Sequence, residues 1–162
     1  MNIAVETPLQ TPTAQLAAWV DNLGERLAQR DLDGALQLFA EECHWRDLLL
    51  FSWNLVTLEG RPAIRDMLET RLDQTRPEQW TLEGEATLNN GVLEGWISLE
   101  TATARGKGYV RLKEGLCWTL LTTMRELKGF EEPSGRRRPT GANHDHAPPD
   151  KRNWRRRRRD EE

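Results

Sequence analysis

Asp47 is the residue in this sequence best suited to acid–base chemistry, because it stands in an apolar run, CHWRDLLLFSWN, at positions 43–54. A run so rich in aromatic and aliphatic residues is typical of a buried strand or of a bent strand pair. Alternate side chains of a strand share one face, which would group the following residues: Trp45, Asp47, Leu49, Phe51 and Trp53. A carboxyl group among such neighbours is poorly solvated, and poor solvation tunes a carboxyl group for general acid–base catalysis.

Asp47 also has a structural interpretation, in which Arg46, Arg111 or a backbone amide pairs with its carboxylate. His44 lies three residues earlier and would project from the opposite face of a strand. We therefore expect no catalytic dyad between His44 and Asp47, and we interpret His44 as a surface or hydrogen-bonded histidine.

Tryptophan is abundant in this chain, which contains seven. Those in predicted strands are Trp45, Trp53, Trp80, Trp96 and Trp118. Strand tryptophans usually belong to the core because they bury a large area, but a small sheet needs fewer than five, so a pocket and a core are equally open interpretations. The predicted pocket, suited to a hydrophobic ligand, has these lining residues: Trp45, Trp53, Trp96 and Trp118.

Other chemical motifs are weak or absent from the sequence. The tail holds one set of potential metal ligands: His144, Asp145, His146 and Asp150. The segment around them is rich in proline, glycine and arginine, so they lack a fixed geometry and enough supporting ligands, and we expect no metal site. The sequence contains no GxSxG motif, P-loop or zinc motif, and Ser52 and Ser98 have no evident base.

Three helices are predicted in the first half of the chain. Residues 13–30 carry apolar side chains at helical spacing behind Thr13, a plausible N-cap. A short helix is predicted over residues 33–42. A third begins beside Pro62, because proline favours the first helical turn, and ends at Pro77.

Four strands of an antiparallel meander are predicted after the third helix, over residues 80–88, 92–101, 103–112 and 116–127. Asn89-Asn90-Gly91 and Lys113-Glu114-Gly115 supply tight turns between them. Helices gathered at the front and a meander at the back indicate an α+β fold. In this fold, three N-terminal helices pack on one face of a curved antiparallel sheet.

The charge distribution separates a folded body from a tail. From 133 to 162 there are ten Lys/Arg and five Asp/Glu, whereas residues 1–132 carry thirteen and twenty-one, within a chain of net charge −3. We expect a disordered N-terminus over residues 1–12, one domain over 13–130, and a basic linker or disordered tail over 131–162. The arginine clusters of the tail resemble a nucleic-acid footprint, but the acidic body favours a linker.

The location predicted for the protein is the cytoplasm. Cys43 and Cys117 lie in apolar runs, which indicates buried, reduced thiols rather than a disulfide framework. The N-terminal residues lack the basic and apolar regions of a signal peptide. No apolar run approaches the roughly 20 residues of a membrane span.

The order of elements resembles the nuclear transport factor 2-like (SnoaL-like) superfamily over residues 13–130, together with the segment DLDGALQLFAEECHWRDLL. This resemblance implies a cystatin-like cone whose sheet wraps around a pocket, and a homodimer that forms through the outer sheet face. In isomerase-type members, a catalytic Asp occupies a position similar to that of Asp47.

A closer resemblance is to the N-terminal extension of bacterial flavin-dependent monooxygenases. It is carried by WRDLLLFSWNLVTLEGRPAIRDML and by ARGKGYVRLKEGLCWTLLTTMRELKGFEEPSGRRRPTGANHDH, with NW following. The resemblance implies FAD and NADPH in a full-length enzyme. Gly106-Lys107-Gly108 is followed by Arg111 where a third glycine would fall, so we expect this chain to bind neither cofactor by itself.

Two functions follow as hypotheses. The first is an accessory N-terminal domain of a flavin-dependent monooxygenase, serving as a ligand pocket, a docking surface or a dimerisation surface beside the flavin module. The alternative is a stand-alone isomerase, hydrolase or dehydratase of the SnoaL type that uses Asp47 as its general acid–base group. The fold alone does not decide between these two hypotheses.

Overall fold

The structure is a computed structural model that describes residues 10–139 and 141. It divides the chain into two units, Met1–Glu131 and Glu132–Glu162. In the first unit, the helices are α1 (Pro12–Ala28), α2 (Leu32–Gln37) and α3 (Gly60–Thr75). The strands are β1 (Phe39–Leu48), β2 (Leu55–Glu59), β3 (Glu78–Asn89), β4 (Val92–Glu100), β5 (Ala104–Lys113) and β6 (Leu116–Leu127).

The first helix forms where its apolar periodicity predicts it, although it begins slightly earlier. Thr11, and not Thr13, is the N-cap, because the Thr11 hydroxyl accepts a hydrogen bond from the Ala14 backbone N–H. Pro12 occupies the first turn, where a missing N–H costs nothing. The buried stripe is the predicted one: Leu16, Trp19, Val20, Leu23 and Leu27.

The second helix is shorter than predicted, since it ends at Gln37 and not at residue 42. Phe39 already belongs to β1, where it pairs with Cys117 of β6. Its ring lies 5.9 Å from that of Trp19 and 6.0 Å from that of Trp45. Strand pairing and aromatic packing therefore override the helical pattern of the preceding residues.

The run at 43–54 contains the end of a strand and a loop rather than one strand. Leu49 has φ 71° and Trp53 has φ 56°, which is left-handed backbone that cannot continue a strand. The chain turns through residues 49–54 and returns as β2, which pairs antiparallel with β1. Leu49, Phe51 and Trp53 therefore do not continue the strand face that Trp45 and Asp47 share.

The sheet is mixed, and not antiparallel throughout as predicted. Its strand order is β2-β1-β6-β5-β4-β3, and β1 pairs with β6 in parallel. The pairs β3–β4, β4–β5 and β5–β6 form the predicted antiparallel meander. β6 pairs with β1 after the chain has passed through β2, α3 and the other strands of the meander, and it then runs in the same direction as β1.

The sheet has two faces of different character. The inner face bears Trp45, Asp47 and Leu120, which are buried. At Gly95 an added β-carbon would lie 2.8 Å from Leu16 Cδ2, so α1 packs directly on this face. The other side, here called the open face, bears the alternate residues of the same strands, which are exposed or half-buried.

Both cysteines are buried free thiols, as predicted. Burial raises the pKa of the Cys43 thiol and raises the pKa of Cys117 well above its ordinary value. Because the thiolate is the reactive form, we expect no reaction of the native chain with Ellman's reagent at pH 8. Two thiols should react per chain in denaturant. Rapid labelling of the folded chain would contradict the burial of both groups.

Among residues 10–139 and 141, no helix combines the length and apolar character needed to cross a membrane. The second unit contains a short 3₁₀ turn, Gly135–Arg137. The tail residues predicted as unlikely metal ligands, His144, Asp145, His146 and Asp150, lie outside the described residues, as do the arginines at 155–159. Within the described part of the chain, no group of three or more potential ligands is placed to hold a metal ion.

Candidate functional site

Asp47 is fully buried and its carboxylate is engaged by donors from three residues. The Phe51 backbone N–H lies 3.1 and 3.2 Å from its two oxygens, and the Ser52 N–H lies 2.8 Å from Oδ2. The Ser52 hydroxyl donates at 2.6 Å and the Thr122 hydroxyl at 2.7 Å. These bonds tie the carboxylate to the loop at 49–54 and to β6.

The structural interpretation of Asp47 therefore has direct support, through backbone amides and hydroxyls rather than arginine. Arg46 donates instead to the Thr57 hydroxyl, and Arg111 pairs with Glu94. His44 lies on the opposite face of β1, as expected from strand alternation. A catalytic role for Asp47 stays a prediction, and it requires a substrate to reach a carboxylate that is 0% exposed.

The loop at 49–54 fills the space in front of Asp47 with its own side chains. The Phe51 ring lies 5.0 Å from that of Trp45 and 6.3 Å from that of Trp80. Leu50 packs against β5, where an added β-carbon at Gly106 would clash with Leu50 Cδ2. The interior between helices and sheet is thus occupied by the chain itself at this end.

The four tryptophans predicted to line one pocket lie in different environments. Trp45 is buried on the inner face, and its indole N–H donates to the Thr122 hydroxyl at 2.8 Å. Trp53 is 53% exposed on the loop. Trp96 is 47% exposed on the open face, and Trp118 lies beneath the cations of Arg111 and Lys113. Of the four, Trp96 lines a cavity.

This cavity lies on the open face and has a volume of about 460 Å³. Its lining includes one row of residues that are strand partners across the sheet: Thr57, Arg46, Leu121, Tyr109 and Trp96. The adjacent row contributes His44 and Thr119. Leu121 thus lies between a polar end at Arg46 and an aromatic end at Trp96 and Tyr109, whose rings are 4.7 Å apart.

Two ion pairs lie along the border of the cavity at its aromatic end. Lys107 Nζ is 5.0 Å from the Trp96 ring centroid and 2.9 Å from a Glu83 carboxylate oxygen. Arg111 Nε is 3.0 Å from a Glu94 carboxylate oxygen. Burial, followed by the charge of Glu94, raises the pKa of the Tyr109 hydroxyl.

Sequence reasoning identified Trp96 but missed Arg46, Leu121 and Tyr109 as parts of one site. Alternation along each strand places these residues on one face. Strand alternation does not give the register between β1 and β6, because these strands are distant in the chain. Only that register aligns Arg46 with Leu121.

No family model matches the chain, and no curated protein matches it. Solved structures do match. One is a domain of unknown function with a cystatin-like fold from Nostoc punctiforme PCC 73102, with 16% identity, coverage of 72% of this chain and 80% of that one, and a TM-score of 0.53. Another is RV0760c from Mycobacterium tuberculosis in complex with estradiol-17β-hemisuccinate, with 16% identity, coverages of 72% and 95%, and a TM-score of 0.53.

A third match is a computationally designed 17-OHP binder, with 18% identity, coverage of 72% of this chain and 93% of that one, and a TM-score of 0.53. Identities this low establish shared architecture and leave activity open. Together with the curved six-stranded sheet and the three helices, they show that the first unit of this chain has a cystatin-like fold.

Proposed function

We propose that this domain is a non-catalytic binding module that takes an apolar small molecule in the open-face cavity. The observation that carries the proposal is the alignment of Leu121, Tyr109 and Trp96 along the floor and wall of that cavity. A half-exposed tryptophan edge-on to a tyrosine offers a large apolar contact surface. The buried carboxylate of Asp47, by contrast, is already bound by its own chain.

The wider role we propose is that of an accessory N-terminal domain of a cytoplasmic flavin-dependent monooxygenase. FAD and NADPH would be held by a flavin module in cis. Gly106 and Gly108 do not suit a dinucleotide, because both lie within β5, where added β-carbons would meet the side chains of Leu50 and Ile97. A cofactor-binding glycine loop must instead leave its backbone open at a strand-to-helix turn.

Two of the solved structures with this fold are a 17-OHP binder and a complex with estradiol-17β-hemisuccinate, so the architecture accommodates apolar ligands. A second copy of the chain is the competing occupant of the open face, where the resemblance implies a homodimer. Exposed apolar surface of this kind marks an interaction site in either case.

The test compares two tryptophans of similar exposure, Trp96 in the cavity and Trp53 on the loop. Binding of the neutral probe N-phenyl-1-naphthylamine is followed by its fluorescence on titration with the full chain. We expect saturable binding, weakened about tenfold or more by Trp96→Ser, because that change removes the largest apolar wall. Trp53→Ser should bind as the unmodified chain does.

Sedimentation at several protein concentrations accompanies the titration. A dimer that Trp96→Ser converts to a monomer, with no saturable probe binding, would identify a second copy as the occupant and contradict the small-molecule proposal. Equal loss of binding in both variants would also contradict it. The alternative enzyme, in which Asp47 is the acid–base group, requires Phe51 and Ser52 to leave the carboxylate first.

A further inference from the structure

We propose that the open-face cavity selects an apolar carboxylate, whose charged end binds Arg46 and whose apolar body lies over Leu121 against Trp96 and Tyr109. This inference rests on the proposed function and adds the chemical class of the ligand. It follows from the arrangement of charges around the cavity.

The geometry places a cation and an aromatic wall at opposite ends of one row. Arg46 on β1 pairs with Leu121 on β6, Leu121 with Tyr109 on β5, and Tyr109 with Trp96 on β4. Neighbouring strands are about 4.8 Å apart, so the backbones of Arg46 and Trp96 are about 14 Å apart. A ligand along this row meets an apolar floor first and a guanidinium at its end.

Arg46 has unused binding capacity. Its guanidinium donates to the Thr57 hydroxyl at 3.0 Å, and among residues 10–139 and 141 it forms no salt bridge with a carboxylate. A guanidinium has five N–H donors and binds a carboxylate through two parallel bonds. Arg46 therefore retains the donors needed for that contact.

The acidic residues nearest the aromatic end are neutralised by their own partners. Glu94 is paired with Arg111, and Glu83 with Lys107. Glu59 also lies on the open face, but its strand partner is His44 in the adjacent row and not Arg46. Among the described residues that line the cavity, this row therefore contains one cation without a carboxylate partner, Arg46, and a ligand carboxylate can bind to it.

A cationic ligand fits the same cavity poorly. The face of Trp96, where a cation would bind, is already approached by Lys107 Nζ at 5.0 Å. A second cation there would face Lys107 on one side and Arg46 at the far end, which like-charge repulsion disfavours. A neutral ligand would leave the Arg46 donors to water.

The experiment compares two probes of nearly equal shape, 2-naphthoate and 2-naphthamide, by calorimetric titration of the full chain. We expect 2-naphthoate to bind about tenfold more tightly, because hydrogen bonds to a charged group are the stronger kind. Arg46→Gln should remove this preference, because it weakens the binding of 2-naphthoate much more than that of 2-naphthamide. Arg125→Gln makes the same change of charge outside the cavity lining and should retain the preference.

The outcomes separate this inference from the proposed function. Equal binding of both probes, weakened by Trp96→Ser, would contradict carboxylate selection and leave the binding module standing. A preference that survives in Arg46→Gln, or that Arg125→Gln abolishes equally, would also contradict it. Absence of binding by either probe would contradict the proposed function itself. Thermal unfolding of each variant confirms that it is folded.

Discussion

Asp47→Asn should lower the free energy of unfolding by about 3 kcal/mol, the magnitude of losing charge-assisted hydrogen bonds in a buried site. The carboxylate accepts hydrogen bonds from Phe51, Ser52 and Thr122. An amide replaces one of its acceptor oxygens with a donor that faces those same donors. Urea denaturation followed by circular dichroism measures the change.

Asp33→Asn is the matched control, because Asp33 carries the same charge on the surface with its side chain 81% exposed. We expect a change within about 0.5 kcal/mol for this variant. The 2-naphthoate affinity of Asp47→Asn, measured where the variant is folded, should equal that of the unmodified chain. Full stability combined with lost ligand binding would instead support Asp47 as a functional carboxylate.

Phe51→Ala is expected to have the other large effect, a loss of about 4 kcal/mol of stability, as found for buried aromatic residues truncated to alanine. The Phe51 side chain is 0% exposed, and its ring packs between Trp45 and Trp80. Its backbone N–H also donates to Asp47, so the residue anchors the loop twice.

Trp53→Ala tests whether this effect belongs to the buried side chain or to the loop as a whole. Trp53 is in the same loop and is larger, yet it is 53% exposed. We expect its removal to change the unfolding free energy by less than about 1 kcal/mol. Comparable losses for the two variants would mean that the loop is not anchored through Phe51.

The meander was predictable from the sequence because its information is local. The turn at Asn89-Asn90-Gly91 requires left-handed backbone, and Asn90 and Gly91 adopt φ values of 50° and 76°. The start of β1 was not predictable in this way. Phe39 follows a helical pattern, and its strand conformation depends on pairing with Cys117 and on packing against the rings of Trp19 and Trp45.

The candidate site, too, was predictable from the sequence only where the information is local. Strand alternation correctly separates His44 and Arg46 from Trp45 and Asp47. It does not reveal that residues 49–54 turn back to donate to Asp47, since that depends on the left-handed conformations of Leu49 and Trp53. Nor does it align Arg46 with Tyr109 and Trp96, which takes three strand registers in succession.

The parallel pairing of β1 with β6 has a consequence for how the chain folds. Asp47 and Thr122 are 75 positions apart, and their bond forms only when the last strand docks. Closing so large a loop costs entropy before any contact compensates it, which slows folding. During synthesis, the edge of β1 that pairs with β6 stays unpaired until β6 leaves the ribosome. Docking of β6 is therefore the step that completes the sheet, and until then one edge of β1 is open to pairing with a strand of another chain.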